Sequence, residues 1–154
     1  MARPSAFPPD VNPLALDEQV CFALSVAARG VVGVYRPVLE PLGLTHPQYL
    51  VMLALWQHAP VRAAELSRML QLDPGTLSPL LKRLERAGHL TRGRDPQDDR
   101  ALAVELTEQG RALREQALAV PPAVVERLGL EMEELRELHE VLVRVIDAVH
   151  GADG

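Results

Sequence analysis

The sequence predicts a mainly helical domain carrying one small β-hairpin. Three observations predict it. Apolar residues recur at helical spacing through most of the chain, from Val20 to Val149. One stretch departs from that period, where Leu102, Val104 and Leu106 alternate with Ala103 and Glu105 as in a half-buried strand. Helix-start residues, often followed by proline, precede several of the helical stretches. A length of 154 residues with 47% apolar content fits a single domain that closes a core without disulfide staples.

The elements follow in order. Residues 1–13 hold Pro4, Pro8, Pro9 and Pro13 and no apolar period, so they read as a flexible arm before a single domain over 14–154. Asp17 is the expected cap of a first helix opening at Glu18, with its stripe at Val20, Cys21, Leu24, Ala28, Val31, Val32, Tyr35, Val38 and Leu39. Pro37 falls near its end and Leu42-Gly43-Leu44 closes it. Thr45 caps the next helix, with Pro47 in its first turn and Tyr49 to His58 as its body. After Ala59-Pro60 a short helix is expected from Val61 to Leu70, then a tight turn at Gln71-Leu72. Asp73 and Pro74 start another helix, which carries Pro79 and stops at Gly88. Two strands follow, His89 to Arg94 and Ala101 to Leu106, around the polar turn 95–99. Thr107 caps a helix running to about Val120; Pro121-Pro122 interrupts, and one last helix is expected to run to about Val149. Helix, tight turn, helix and hairpin in that order make a winged helix-turn-helix over 45–106. Asp73 to Ala87 would be its recognition helix and Arg92 to Arg100 its wing.

Charge supports that assignment once it is resolved along the chain. The whole is −5, with 21 acidic and 16 basic residues, which by itself speaks against a polyanionic partner. Between Lys82 and Arg94, however, five cations (Lys82, Arg83, Arg86, Arg92, Arg94) face the single anion Glu85. That segment is therefore +4, and the remainder −9. The cations coincide with the expected recognition helix and the base of the wing, so double-stranded DNA is the expected partner. Gly75, Thr76 and Ser78 at the helix start allow close approach and hydroxyl contacts. Lys82, Arg83, Arg86 and Arg92 suit phosphate, or for Arg83 guanine. Arg100, steadied by Asp98, suits a minor groove.

Outside this unit, Val124, Val125, Leu128, Leu135, Leu138, Leu142, Val145, Ile146 and Val149 form a seam wider than one small module can cover. The helices at 14–44 and 107–150 are accordingly expected to build a homodimer, which would read a pseudo-palindromic operator. No uninterrupted apolar run approaches a bilayer span, and no basic segment precedes an apolar stretch near the N-terminus, so no membrane association is expected. The lone Cys21 excludes an internal disulfide and fits the cytoplasm. His46, His58, His89, His139 and His150 lack ligand spacing, and no nucleophile–base set or phosphate loop is visible. No metal, cofactor or enzymatic activity is expected.

Over nearly its whole length the chain resembles the MarR family of dimeric winged-helix regulators, and within it the organic-hydroperoxide-sensing OhrR branch. Asp98-Asp99-Arg100 and Leu106-Thr107-Glu108-Gln109-Gly110 carry the general resemblance. The blocks Leu16 to Leu24, Tyr35 to Leu39, Gly43 to Val51 and Leu72 to Glu85 add to it, the cysteine and Pro47-Gln48-Tyr49 blocks being specific to the branch. The resemblance implies that Cys21 is a one-cysteine peroxide sensor, oxidised by an organic hydroperoxide to a sulfenic acid that either a low-molecular-weight thiol captures or further peroxide overoxidises. It implies that Tyr35 holds the sulfur by a hydrogen bond. Fourteen residues of helix span about 21 Å, so that sulfur must be the partner subunit's. His46 stands where the branch usually has a second sulfur-binding tyrosine, and can donate a hydrogen bond in its place. Ser25 stands where a further tyrosine is common, and Pro74 replaces a small hydroxyl residue. Two other expectations compete: a repressor released by a small aromatic or phenolic ligand, with Cys21 a packing residue, and a winged helix that binds protein.

Overall fold

The computed structural model describes residues 7–152, a mainly helical chain with one three-stranded antiparallel sheet. Residues 1–6 of the expected arm lie outside the described residues. From Phe7 to Pro13 the chain runs through bends and turns.

A single 3₁₀ turn, Leu16–Glu18, precedes α1, Val20–Leu39. Asp17 therefore lies in the turn and does not cap the helix. The Gln19 side chain fixes this entry by donating to the Pro13 and Ala15 carbonyls, each at 2.9 Å. Pro37 occupies the last turn of α1, where few backbone bonds remain to be lost. A second 3₁₀ turn, Glu40–Leu42, ends at Gly43 with φ +69°. Helix α2, His46–His58, opens with a reciprocal cap: Thr45 Oγ1 accepts from the Gln48 amide and Gln48 Oε1 from the Thr45 amide, at 3.3 and 3.0 Å.

Val61 does not open a helix as expected. Val61–Arg62 forms β1, and α3 begins after it, Ala63–Leu70. The strand exists because β3 offers it a free edge forty residues away, which no local pattern announces. Gln71, at φ 58°, makes the tight turn, and Asp73 caps α4, Pro74–Arg86, by accepting from the Thr76 amide at 2.9 Å. Strands β2, Leu90–Asp95, and β3, Asp98–Leu106, pair from Leu90↔Leu106 to Asp95↔Asp98. The expected five-residue turn is thus shortened to Pro96-Gln97, because the strands continue pairing. Sheet order is β1-β3-β2.

Thr107 caps α5, Glu108–Ala117, through the Gly110 amide at 3.0 Å. The prolines 121 and 122 sit in the first turn of α6, Val120–Leu128, where their missing N–H groups are no loss. The chain breaks just before them, at Leu118-Ala119, and again at Gly129, φ +67°, so the expected single last helix is two: α6 and then α7, Met132–Ala152.

The core joins α2, α3, α4 and the sheet through Val51, Met52, Leu55, Leu66, Leu81, Leu84 and Val104, with Val120 and Val124 contributed by α6. The outer helices share little of it. Leu39 is the only buried residue of α1, and α7 has none among its described side chains. Val26, Val32, Leu138, Val141, Val145 and Ile146 are exposed. The span Val20–Leu42 reaches a mean hydropathy of 1.3 and is long and apolar enough to cross a membrane by length and composition, contrary to the expectation from uninterrupted runs. Small and branched apolar residues around Arg29 keep the average high although charges punctuate the run.

Candidate nucleic-acid interface and sensing cluster

Helix α4 is divided by its own periodicity. Leu77, Leu80, Leu81 and Leu84 point into the core, which leaves Gly75, Thr76, Ser78, Lys82, Arg83 and Arg86 on the exposed face. Asp73 organises the start of that face. Its carboxylate also accepts from the Thr76 hydroxyl at 3.1 Å, and the bonds from Thr76 hold it below the usual carboxylate range. Thr76 is thus partly committed to the cap, while the Ser78 side chain is exposed. A Cβ at Gly75 would lie 3.2 Å from Asp73 Oδ1, so the glycine leaves room for the capping carboxylate.

Arg92 faces inward. Its Nη2 donates to Glu85 Oε1 and its backbone N–H to Glu85 Oε2, both at 3.1 Å. The Arg92 side chain is only 19% exposed, and its bond lowers the Glu85 carboxyl. The pair fastens β2 to α4 and cancels one charge of each sign from the basic stretch. What remains exposed there is Lys82, Arg83, Arg86 and Arg94, a more concentrated face than the sequence count suggests. On the wing, Asp98 Oδ1 accepts from the backbone N–H of Arg100 at 3.0 Å. The turn is thereby fixed while the Arg100 side chain stays exposed. Arg62, absent from the expected set, meets Asp95 at the wing tip at 2.6 Å. Neither this pair nor Arg92–Glu85 follows a local spacing rule.

The other group of expected residues divides in two. Cys21 is exposed in the first turn of α1 and lines a cavity of about 230 Å³ with Phe7, Val11, Pro13 and Val20. The Ser25 hydroxyl donates to the Cys21 carbonyl at 2.9 Å. At the far end of α1, Tyr35 meets His46 with ring centroids 4.6 Å apart, and Tyr49 at 5.6 Å. Tyr49 was not among the expected site residues, although it belongs to the Pro47-Gln48-Tyr49 block. Burial raises the phenol pKa of Tyr35 and of Tyr49, the latter helped by Tyr35, and lowers that of His46. Burial thus favours the protonated phenols, which can donate, and the neutral imidazole of His46, which has one donor and one acceptor. Within one chain these rings are about 21 Å of helix from Cys21. Among the described residues, no three His, Cys, Asp or Glu gather to hold a metal ion.

Comparison with known proteins bears on both regions. The MarR family pattern matches residues 44–102. The organic hydroperoxide resistance transcriptional regulator of Bacillus subtilis is 36% identical over 89% of this chain and 93% of its own. The HTH-type transcriptional regulator TtmR of Methylorubrum extorquens is 41% identical over 93% of this chain and 73% of its own. Among solved structures, reduced AbfR bound to DNA, from Staphylococcus epidermidis, is similar with a TM-score of 0.70 and 34% identity, over 87% of this chain and 94% of that one.

Proposed function

The chain belongs to the MarR family of transcriptional regulators, and we propose that it is a cytoplasmic DNA-binding repressor that releases its operator when an organic hydroperoxide oxidises Cys21. It acts as a homodimer through the helices of 14–44 and 107–150, among which α1 and α7 keep apolar faces exposed in the single chain. Each subunit lays the exposed face of α4 into a major groove, with Gly75, Thr76 and Ser78 near the bases and Lys82, Arg83 and Arg86 toward phosphate. Arg100 enters the flanking minor groove. Arg92 supports this surface from behind through Glu85.

The observation that carries the redox reading is the separation of an exposed thiol from a cluster of proton-donating rings along one helix. Two α1 helices running antiparallel across a dimer bring each Cys21 to the partner's Tyr35 and His46. Hydrogen bonds from these donors favour the thiolate. The sulfur attacks the terminal oxygen of the hydroperoxide. An S–O bond forms, the O–O bond breaks, and the alkoxide takes a proton from solvent and leaves as an alcohol. Cys21 becomes a sulfenic acid, which a low-molecular-weight thiol converts to a mixed disulfide with release of water. Because the same rings belong to the dimer contact, their loss from the sulfur alters how the two reading modules are held. Similarity to the Bacillus subtilis regulator of organic hydroperoxide resistance supports this reading over release by a phenolic ligand.

One equivalent of cumene hydroperoxide with dimedone present tests it. The Cys21 peptide is expected to gain the dimedone adduct in proportion to lost operator binding. Operator release with Cys21 unmodified would sink the redox reading.

A further inference from the structure

The wing is a cantilever. Strand β1 pairs with β3 only at Val61↔Val104 and Arg62↔Ala103, because the chain enters α3 at Ala63. From Leu102 outward, β3 has β2 alone as its neighbour. A two-stranded ribbon is marginal by itself in water. The register also shifts between Arg94 and Asp95, which locally disrupts the ladder and changes its twist. Backbone pairing therefore leaves the direction of the tip weakly fixed.

Arg62, the last residue of β1, reaches that tip. Its Nε donates to Asp95 Oδ2 at 2.6 Å, while Asp95 Oδ1 accepts from the Gln97 amide at 2.8 Å. One carboxylate thus holds the turn with one oxygen and the body of the domain with the other. The Asp95 side chain is only 14% exposed, although it lies at the end of a hairpin.

We propose that the Arg62–Asp95 pair is a latch that aims the wing, so that both are positioning residues for the minor-groove contact of Arg100. This rests on the DNA-binding reading above. A wing free to point in many directions binds with an affinity reduced by the fraction correctly aimed. The latch also accounts for a carboxylate on a tip that approaches phosphate. Judged by charge alone, Asp95 opposes DNA binding.

That opposition gives the test a sign. The probe is a duplex carrying the operator that the wild-type protein selects from a random-sequence pool. Asp95→Asn keeps an acceptor for Gln97 and removes the charge that holds Arg62. With the latch, both Asp95→Asn and Arg62→Gln lose affinity on the order of five-fold, the range of an exposed ion pair. Amide exchange in the free proteins is expected to rise over residues 94–100 and not in α4. Asp95→Asn binding as tightly as the wild type, or more tightly, would overturn the latch, since a removed anion would then simply have favoured phosphate. Unchanged wing exchange in both variants would overturn it too. A wild-type protein that selects no duplex sinks the DNA-binding reading, and the exchange measurement still decides whether Arg62 holds the wing.

Discussion

Gly110 leaves no room for a methyl group: a Cβ there would lie 2.0 Å from the His89 carbonyl oxygen. Its own carbonyl accepts the indole N–H of Trp56 at 2.9 Å, and the neighbouring Thr107 amide donates to that same His89 oxygen at 3.1 Å. The start of α5 is thus closed against the end of α4 at backbone distance. Gly110→Ala is expected to destabilise the fold by about 2–4 kcal/mol through overpacking, read as a lower urea midpoint. A midpoint equal to the wild type would show that the two segments part without loss. His89 makes the same junction sensitive to acid. Its ring is buried and its Nδ1 has no hydrogen-bond partner, and burial pushes its pKa below the ordinary 6.5. Below that value the unfolded chain takes up a proton that the folded ring resists, so stability is full above about pH 6.5 and falls as pH drops through it. His46, lowered for the same reason, adds to the slope. The variant His89→Leu is expected to flatten the pH dependence of the urea midpoint, leaving the share of His46; an unaltered slope would remove His89 from the account. The Thr107-Glu108-Gln109-Gly110 block was legible in the sequence as a family signature. Its reason was not, because the oxygen that excludes a Cβ belongs to a residue 21 positions earlier.

Helix starts were the most legible elements, since a cap and its partner lie three residues apart. Thr45, Asp73 and Thr107 all cap where expected. Asp17 does not, because Gln19 reaches back to the arm and sets the helix start itself. What local spacing could not reveal was pairing at a distance: β1 on the edge of β3, and Arg92 turned inward onto Glu85. Pro121 and Pro122 read in the sequence as an interruption, whereas the fold places both in the first turn of α6. The exposed cations of α4 and the inward Arg92 of β2 are expected to differ in what they do for DNA. Lys82→Ala is expected to lower the slope of log affinity against log salt by about 1, the share of one phosphate contact. Arg92→Ala is expected to leave the slope unchanged and to weaken the attachment of β2. Equal slope changes for the two variants would place Arg92 on the DNA.

At the scale of the molecule, the apolar faces of α1 and α7 explain how an acidic chain with a small core makes a regulator. Many of their apolar residues are exposed in one subunit, and in the proposed dimer a second subunit covers them. Dimerisation doubles the basic face, which stands out as +4 in each chain against a −9 remainder. In the proposed dimer it would also join the Cys21 thiol to the partner's Tyr35, which within one chain lies about 21 Å of helix away. That distance is calculable from the sequence, and so is its consequence: a sulfur that Tyr35 touches belongs to a partner subunit. The contribution of Tyr49 became visible only once α1 and α2 were packed together. In the proposed mechanism Cys21 switches operator binding without taking part in it. The most direct test of that mechanism compares operator affinity of the wild type and Cys21→Ser, each with and without cumene hydroperoxide. Equal affinity is expected for both proteins untreated, with loss of binding on treatment in the wild type alone. Release of Cys21→Ser by the hydroperoxide, or persistence of the oxidised wild type on its operator, would contradict it.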